Sequence, residues 1–158
     1  MTNDETNDGN RELVLERELA ASPAAIWRCW TEPELLKQWF TPKPWATTEA
    51  EMDVRPGGAN RIVMRGPDGQ VHDNLGVYLD VVPQKRLVFT DAFTSAWEPS
   101  EKAFMVGTIT LEPNGTGTKY TARVRHWTEA DREAHEKMGF HEGWGIATDQ
   151  LEALAGTL

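Results

Sequence analysis

Four histidines, one cysteine and a few serines are the side chains that could carry nucleophilic, acid–base or metal chemistry in this chain. Imidazole changes charge near neutral pH and ligates metals, so the histidines come first. His126 ends an alternating run and shares its inner parity with Tyr120, Ala122 and Val124. His141 lies one position off an apolar helical stripe, and His72 and His135 fall where exposure is predicted. Two histidines six apart, as at 135 and 141, do not share a helix face, so no metal site is predicted. His141 and Glu142 are adjacent on a helix and diverge by about 100°, which keeps them from acting on one atom. If the protein moves a proton, His126 or His141 is the group that does it. Cys29, between Arg28 and Trp30 on a short apolar helix, reads as a packed thiol. It is the only cysteine, so no internal disulfide forms, which agrees with a reducing compartment. Ser95 and Ser100 have no Gly-x-Ser-x-Gly setting and predict no hydrolase. Gly57-Gly58 lacks the glycine spacing of a nucleotide loop and reads as a turn, and no cofactor is predicted.

These residues must be positioned by a predictable set of elements. Met1–Asn10 is polar and aperiodic and reads as a disordered tail, leaving 11–158 as one domain. Arg11–Leu19 alternates as a first strand. Ser22 is a predicted N-cap with Pro23 at the first helical position, opening a short helix that carries Ile26, Trp27 and Trp30. Thr31 and Glu34 have capping-box spacing, predicting a second short helix over 32–39 that ends before Pro42 and Pro44. Six strand-like runs follow, at 47–54, 60–65, 71–82, 86–91, 102–111 and 118–126. Turn sequences such as Pro67-Asp68-Gly69 and Pro113-Asn114-Gly115 separate several of them, and separators this short impose antiparallel hairpins. Thr128 and Asp131 open a last helical segment, with a kink expected at Gly139. Its Phe140, Trp144, Ala147, Leu151 and Leu154 form one apolar stripe.

The order of elements is that of an α+β fold, a curved antiparallel sheet around a long C-terminal helix with two short helices after the first strand. Three helices cannot fill a strongly bent sheet, so a cavity is expected between the sheet and the long helix. Strand parity points Ile62 and Met64, Met105 and Ile109, and Tyr120, Val124 and His126 toward that helix. Phe89, Phe93 and Trp97 are expected as aromatic wall near one mouth, and Trp144 and His141 from the helix side. The segment Phe93–Ala103 could be a lid or a plain hairpin connection. A net charge of -9 disfavours nucleic acid and anionic membranes as partners. No apolar run reaches the ~20 residues of a membrane span, and the predicted location is the cytoplasm. A homodimer is left open.

Several strings carry a resemblance. Ala21-Ser22-Pro23 through Trp27, Thr31-Glu32-Pro33-Glu34-Leu35-Leu36-Lys37-Gln38-Trp39-Phe40, Asp53-Val54-Arg55-Pro56-Gly57-Gly58 and Phe140-His141-Glu142-Gly143-Trp144 stand where the pattern independently places helix starts, a turn and the long helix. The chain resembles bacterial single-domain members of the family named after the activator of the heat-shock-protein-90 ATPase, within the START-like, birch-pollen-allergen-like (SRPBCC) superfamily. The resemblance implies the helix-grip fold. Relatives in that superfamily include lipid carriers, hormone receptors, polyketide cyclases and co-chaperone domains, which share a cavity but no catalytic set. Three readings follow. The first is a binding protein for a small apolar or aromatic ligand, the second a cyclase- or isomerase-like enzyme using the same cavity, and the third an interaction domain for a chaperone partner.

Overall fold

The computed structural model describes residues 11–158. The tail expected at Met1–Asn10 lies outside the described residues. Strand β1 (Glu12–Leu19) is followed by helices α1 (Pro23–Thr31) and α2 (Pro33–Leu36). Strands β2 (Ala46–Met52), β3 (Ala59–Arg65), β4 (Val71–Val82) and β5 (Arg86–Thr90) come next, then the small hairpin β6 (Phe93–Ser95) and β7 (Glu98–Pro99). The chain finishes with β8 (Met105–Asn114), β9 (Gly117–His126), α3 (Glu129–Lys137) and α4 (Phe140–Ala155). Seven strands form one antiparallel sheet in the order β1-β9-β8-β5-β4-β3-β2. This is the α+β helix-grip arrangement that the sequence predicts.

Local chemistry explains most boundaries. Ser22 caps α1, its Oγ accepting from the Ala25 amide at 3.2 Å with Pro23 in the first turn, and Thr128 does the same for α3 with the Asp131 amide at 3.0 Å. Gly139 adopts φ 96°, a left-handed conformation that ends one helix and starts the next, so the expected kink is a full break between α3 and α4. The capping box expected at Thr31 and Glu34 does not form. Thr31 ends α1 and its hydroxyl donates to the Trp27 carbonyl at 2.7 Å, while α2 is a single turn with Glu32 as an N-cap that makes no side-chain bond. The β8 strand begins three residues later than expected because the Asp91 carboxylate, through Oδ1, accepts from the amides of Phe104 and Met105 and holds that stretch as a loop end. Register shifts at Thr47/Glu49 in the β2–β3 pair and Tyr78/Asp80 in the β4–β5 pair bend the sheet.

Two polar clamps set α4 across the concave face. On one side Arg17 of β1 pairs with Asp149 at 2.8 Å. On the other the Gln150 side-chain amide donates to the carbonyls of Trp39 and Thr41 at 2.9 and 2.8 Å, and its oxygen accepts from the Lys43 amide. Between the clamps Leu151 and Ala155 join Ile26, Cys29, Tyr120 and Ala122 in the main core. Burial of this apolar surface is the principal stabilising term of the fold.

Candidate functional site

A cavity of about 460 Å³ lies between α4 and the sheet. That volume falls within the ~300–1,000 Å³ common for small-molecule sites. Its floor is built by strand parity: Ile62 and Met64 from β3, Phe89 from β5, Met105 from β8 and Tyr120 from β9. Its roof comes from Phe140, Gly143, Trp144 and Ala147 of α4, and α1 and the segment after α2 contribute Trp30, Trp39 and Phe40. Gly143 and Ala147 are small, so the roof stands off the floor there. Gly107 also shapes the floor. It faces Phe89 across the β5–β8 pair, and a Cβ at Gly107 would stand 2.6 Å from that ring, so the absence of a side chain lets Phe89 lie flat across the strand.

The aromatic lining is ordered by its own contacts. Trp30 stacks on Phe89 with centroids 5.8 Å apart and meets Trp39 edge-on at 4.9 Å. The Trp30 indole N–H donates to the Tyr120 hydroxyl at 3.2 Å, and the Trp39 indole N–H to the Cys29 carbonyl at 2.9 Å. Burial holds the Tyr120 phenol above its ordinary range, so it remains protonated at the cavity wall. The same effect pushes the buried Cys29 thiol up to about 11, against the weaker pull of Arg28, which makes Cys29 a core residue and a poor nucleophile. The lining contains no lysine, arginine or glutamate, and its one carboxylate is Asp91.

The structure distributes the sequence-derived candidates unevenly. Ile62, Met64, Phe89, Met105, Tyr120 and Trp144 line the cavity together. Ile109 and Val124 face the same side of the sheet but are sealed in the packed core, because parity fixes the face of a residue and not its depth. Phe93 and Trp97 are placed elsewhere: they meet edge-on at 5.4 Å, and Trp97, 56% exposed, lies over Gly57 at the turn before β3. His141 points to solvent, 3.9 Å from Glu136. His126 is 2% exposed and sits one layer behind the wall.

His135, expected to be exposed, is half-buried and lines the cavity from α3, while His72 of β4 is exposed as expected and lines it from the sheet. Its Nδ1 lies 2.9 Å from Nε2 of His126, whose own Nδ1 lies 2.8 Å from the Arg11 carbonyl oxygen. Phe104 and Phe140 flank the His135 ring at 5.3 and 5.1 Å. Burial, with His126 adding to it, pushes the His135 imidazole down to about 4. Sequence spacing gives no hint of this pair, because nine residues and a strand-to-helix turn separate its members. Phe104, expected within the strand at 102–111, lies just before β8 instead and lines the cavity there, its amide held by the Asp91 carboxylate. Among the described residues no group of three His, Cys, Asp or Glu side chains could hold a metal ion.

Comparison with known proteins gives the chain its relatives. Residues 20–156 match the family described as Activator of Hsp90 ATPase homolog 1-like protein. A crystal structure of a Nitrosomonas europaea protein is 45% identical, covers 95% of this chain and 97% of its own, and superposes with a TM-score of 0.92. A Rhodobacter sphaeroides protein is 26% identical over 94% of this chain and 95% of its own, with a TM-score of 0.82. A Chromobacterium violaceum protein is 27% identical over 92% and 96%, at 0.74. No curated protein sequence matches the chain.

Proposed function

The chain belongs to the family of Activator of Hsp90 ATPase homolog 1-like proteins, and we propose that it is a binding protein that encloses one small, uncharged, apolar or aromatic molecule between its sheet and α4. The observation that carries this reading is the lining itself. A 460 Å³ space lined chiefly by tryptophan, phenylalanine, methionine and aliphatic side chains offers mostly apolar area, with polar exceptions that include Asn60, His72, Asn74, Thr90 and Asp91. An anionic ligand such as a fatty acid would find no lysine or arginine there and would meet Asp91, and removing a carboxylate from water without a partner is strongly unfavourable. A neutral ligand meets neither penalty. Among the described residues no helix is long and apolar enough to cross a membrane.

The test is direct. Native mass spectrometry of the gently purified protein should show a fraction carrying one small neutral mass, and the stripped protein should bind a neutral fluorophore such as Nile red at about 1:1 and melt at a higher temperature with it, as linkage requires. Saturable binding that is absent, or that continues well beyond one equivalent, counts against the cavity as the site. The family description supports a second reading, docking on a chaperone ATPase. In that case stimulation of the chaperone's ATP hydrolysis would appear with the stripped protein as readily as with the loaded one.

A further inference from the structure

We propose that the His126–His135 pair is a polar anchor that selects ligands carrying a neutral hydroxyl on an aromatic skeleton, a phenol or an enol. This rests on the cavity reading and sharpens it. The direction of the hydrogen bonds follows from chemistry. The Arg11 carbonyl can only accept, so the proton on that 2.8 Å contact belongs to Nδ1 of His126. In the uncharged imidazole Nε2 of His126 is then an acceptor, and the 2.9 Å contact takes its proton from Nδ1 of His135. The chain of donors ends on Nε2 of His135, a lone pair for which no partner is found among the described residues, on a ring that lines the cavity. Each bond in such a chain polarises the next, which strengthens the terminal acceptor.

The surroundings keep His135 uncharged. His135 is flanked by Phe104, Phe140 and the almost fully buried His126 ring, so among the described contacts no carboxylate offsets a proton on its imidazole. The shift of His135 to about 4 agrees with this geometry. An acceptor held neutral at the edge of an aromatic cavity rewards a hydroxyl donor. It gives nothing to an ether and repels the lone pairs of a carboxylate.

The experiment uses 2-naphthol and 2-methoxynaphthalene, nearly the same shape with and without the donor, titrated into the full chain and into His135→Phe. The wild type should prefer the naphthol by ~3–10-fold, the range of one neutral hydrogen bond. In His135→Phe the preference should fall to within about twofold while the ether still binds. Long-range proton–nitrogen correlation spectra of the wild type supply a readout that does not depend on a variant's folding: both rings should carry the proton on Nδ1, and Nε2 of His135 should shift on adding naphthol but not the ether. Equal affinities in the wild type, a preference that survives His135→Phe, or a proton on Nε2 of His135 in the free protein overturns the anchor alone. Binding of neither probe overturns the cavity reading and the anchor with it.

Discussion

Helix α4 roofs two regions with opposite packing. Its C-terminal half presents Leu151 and Ala155, at 0% and 2% exposure, to a core that also holds Leu19, Ala21, Ile26 and Cys29. Its N-terminal half borders the cavity with Gly143, Trp144 and Ala147, of which Ala147 also touches the core edge. The sheet beneath is the same, so the difference lies in what the rest of the chain supplies. Helix α1 fits under the C-terminal half and fills the bend of the sheet with Ile26, Cys29 and Trp30. It does not reach the far end, where α3 and its C-cap contribute the rim residues His135 and Met138. The hollow therefore follows from the number and length of the helices set against a bent sheet, and the small residues on α4 keep it open.

Substitutions on the two halves should respond differently. Leu151→Ala should have the largest effect, about 2–5 kcal/mol lost in urea denaturation, because its site is closed on all sides and cannot collapse. Tyr120→Phe should cost about 1–3 kcal/mol although it removes a single oxygen, since it strands the buried Trp30 indole N–H that now donates to the hydroxyl. Trp144→Ala should cost only about 1–2 kcal/mol, because the indole is half-buried with one side toward the cavity. A Trp144→Ala loss as large as that of Leu151→Ala would break the comparison.

The smallest expected effect is a pH dependence. The folded-state pKa of His135 is depressed from 6.5 to about 4, so its contribution to stability is present above pH 6.5. As pH falls from about 6.5 toward 4 the unfolded chain takes up a proton that the folded one refuses, and this contribution declines. Urea midpoints measured at pH 7.5 and pH 5 should fall less for His135→Phe than for the wild type. Parallel lines for the two proteins would mean that the imidazole is no better buried than in the unfolded chain.

Much of this arrangement was legible in the sequence, and the exceptions have physical causes. Alternation along strands and the α4 stripe identify the inward faces, which is why the pattern alone places Met64, Met105 and Trp144 toward one another. Alternation has no information about distance along the sheet, so Ile109 and Val124, correct in face, are buried beside the cavity, Ile109 in the main core and Val124 in a small cluster with Leu13 and Phe140. The histidines show the limit more sharply. His141 follows Phe140 on the helix and turns outward, whereas His135 reaches the wall because the break at Gly139 folds α3 back toward the end of β9. A single left-handed glycine sets that geometry, and the sequence marks the glycine but not the angle that it produces.

The most direct test of the central claim, that the hollow half is a ligand site, is calorimetric titration of 2-methoxynaphthalene into the wild type and into Met105→Trp. An indole at position 105 would occupy the floor of the cavity, and with space to receive it the fold should be retained, in contrast to the overpacking cost of about 1–3 kcal/mol typical of a filled core. The account predicts one saturable site in the wild type and binding at least ~10-fold weaker, a loss of about 1.4 kcal/mol or more, in a folded Met105→Trp protein. Equal affinity in the two proteins would contradict it.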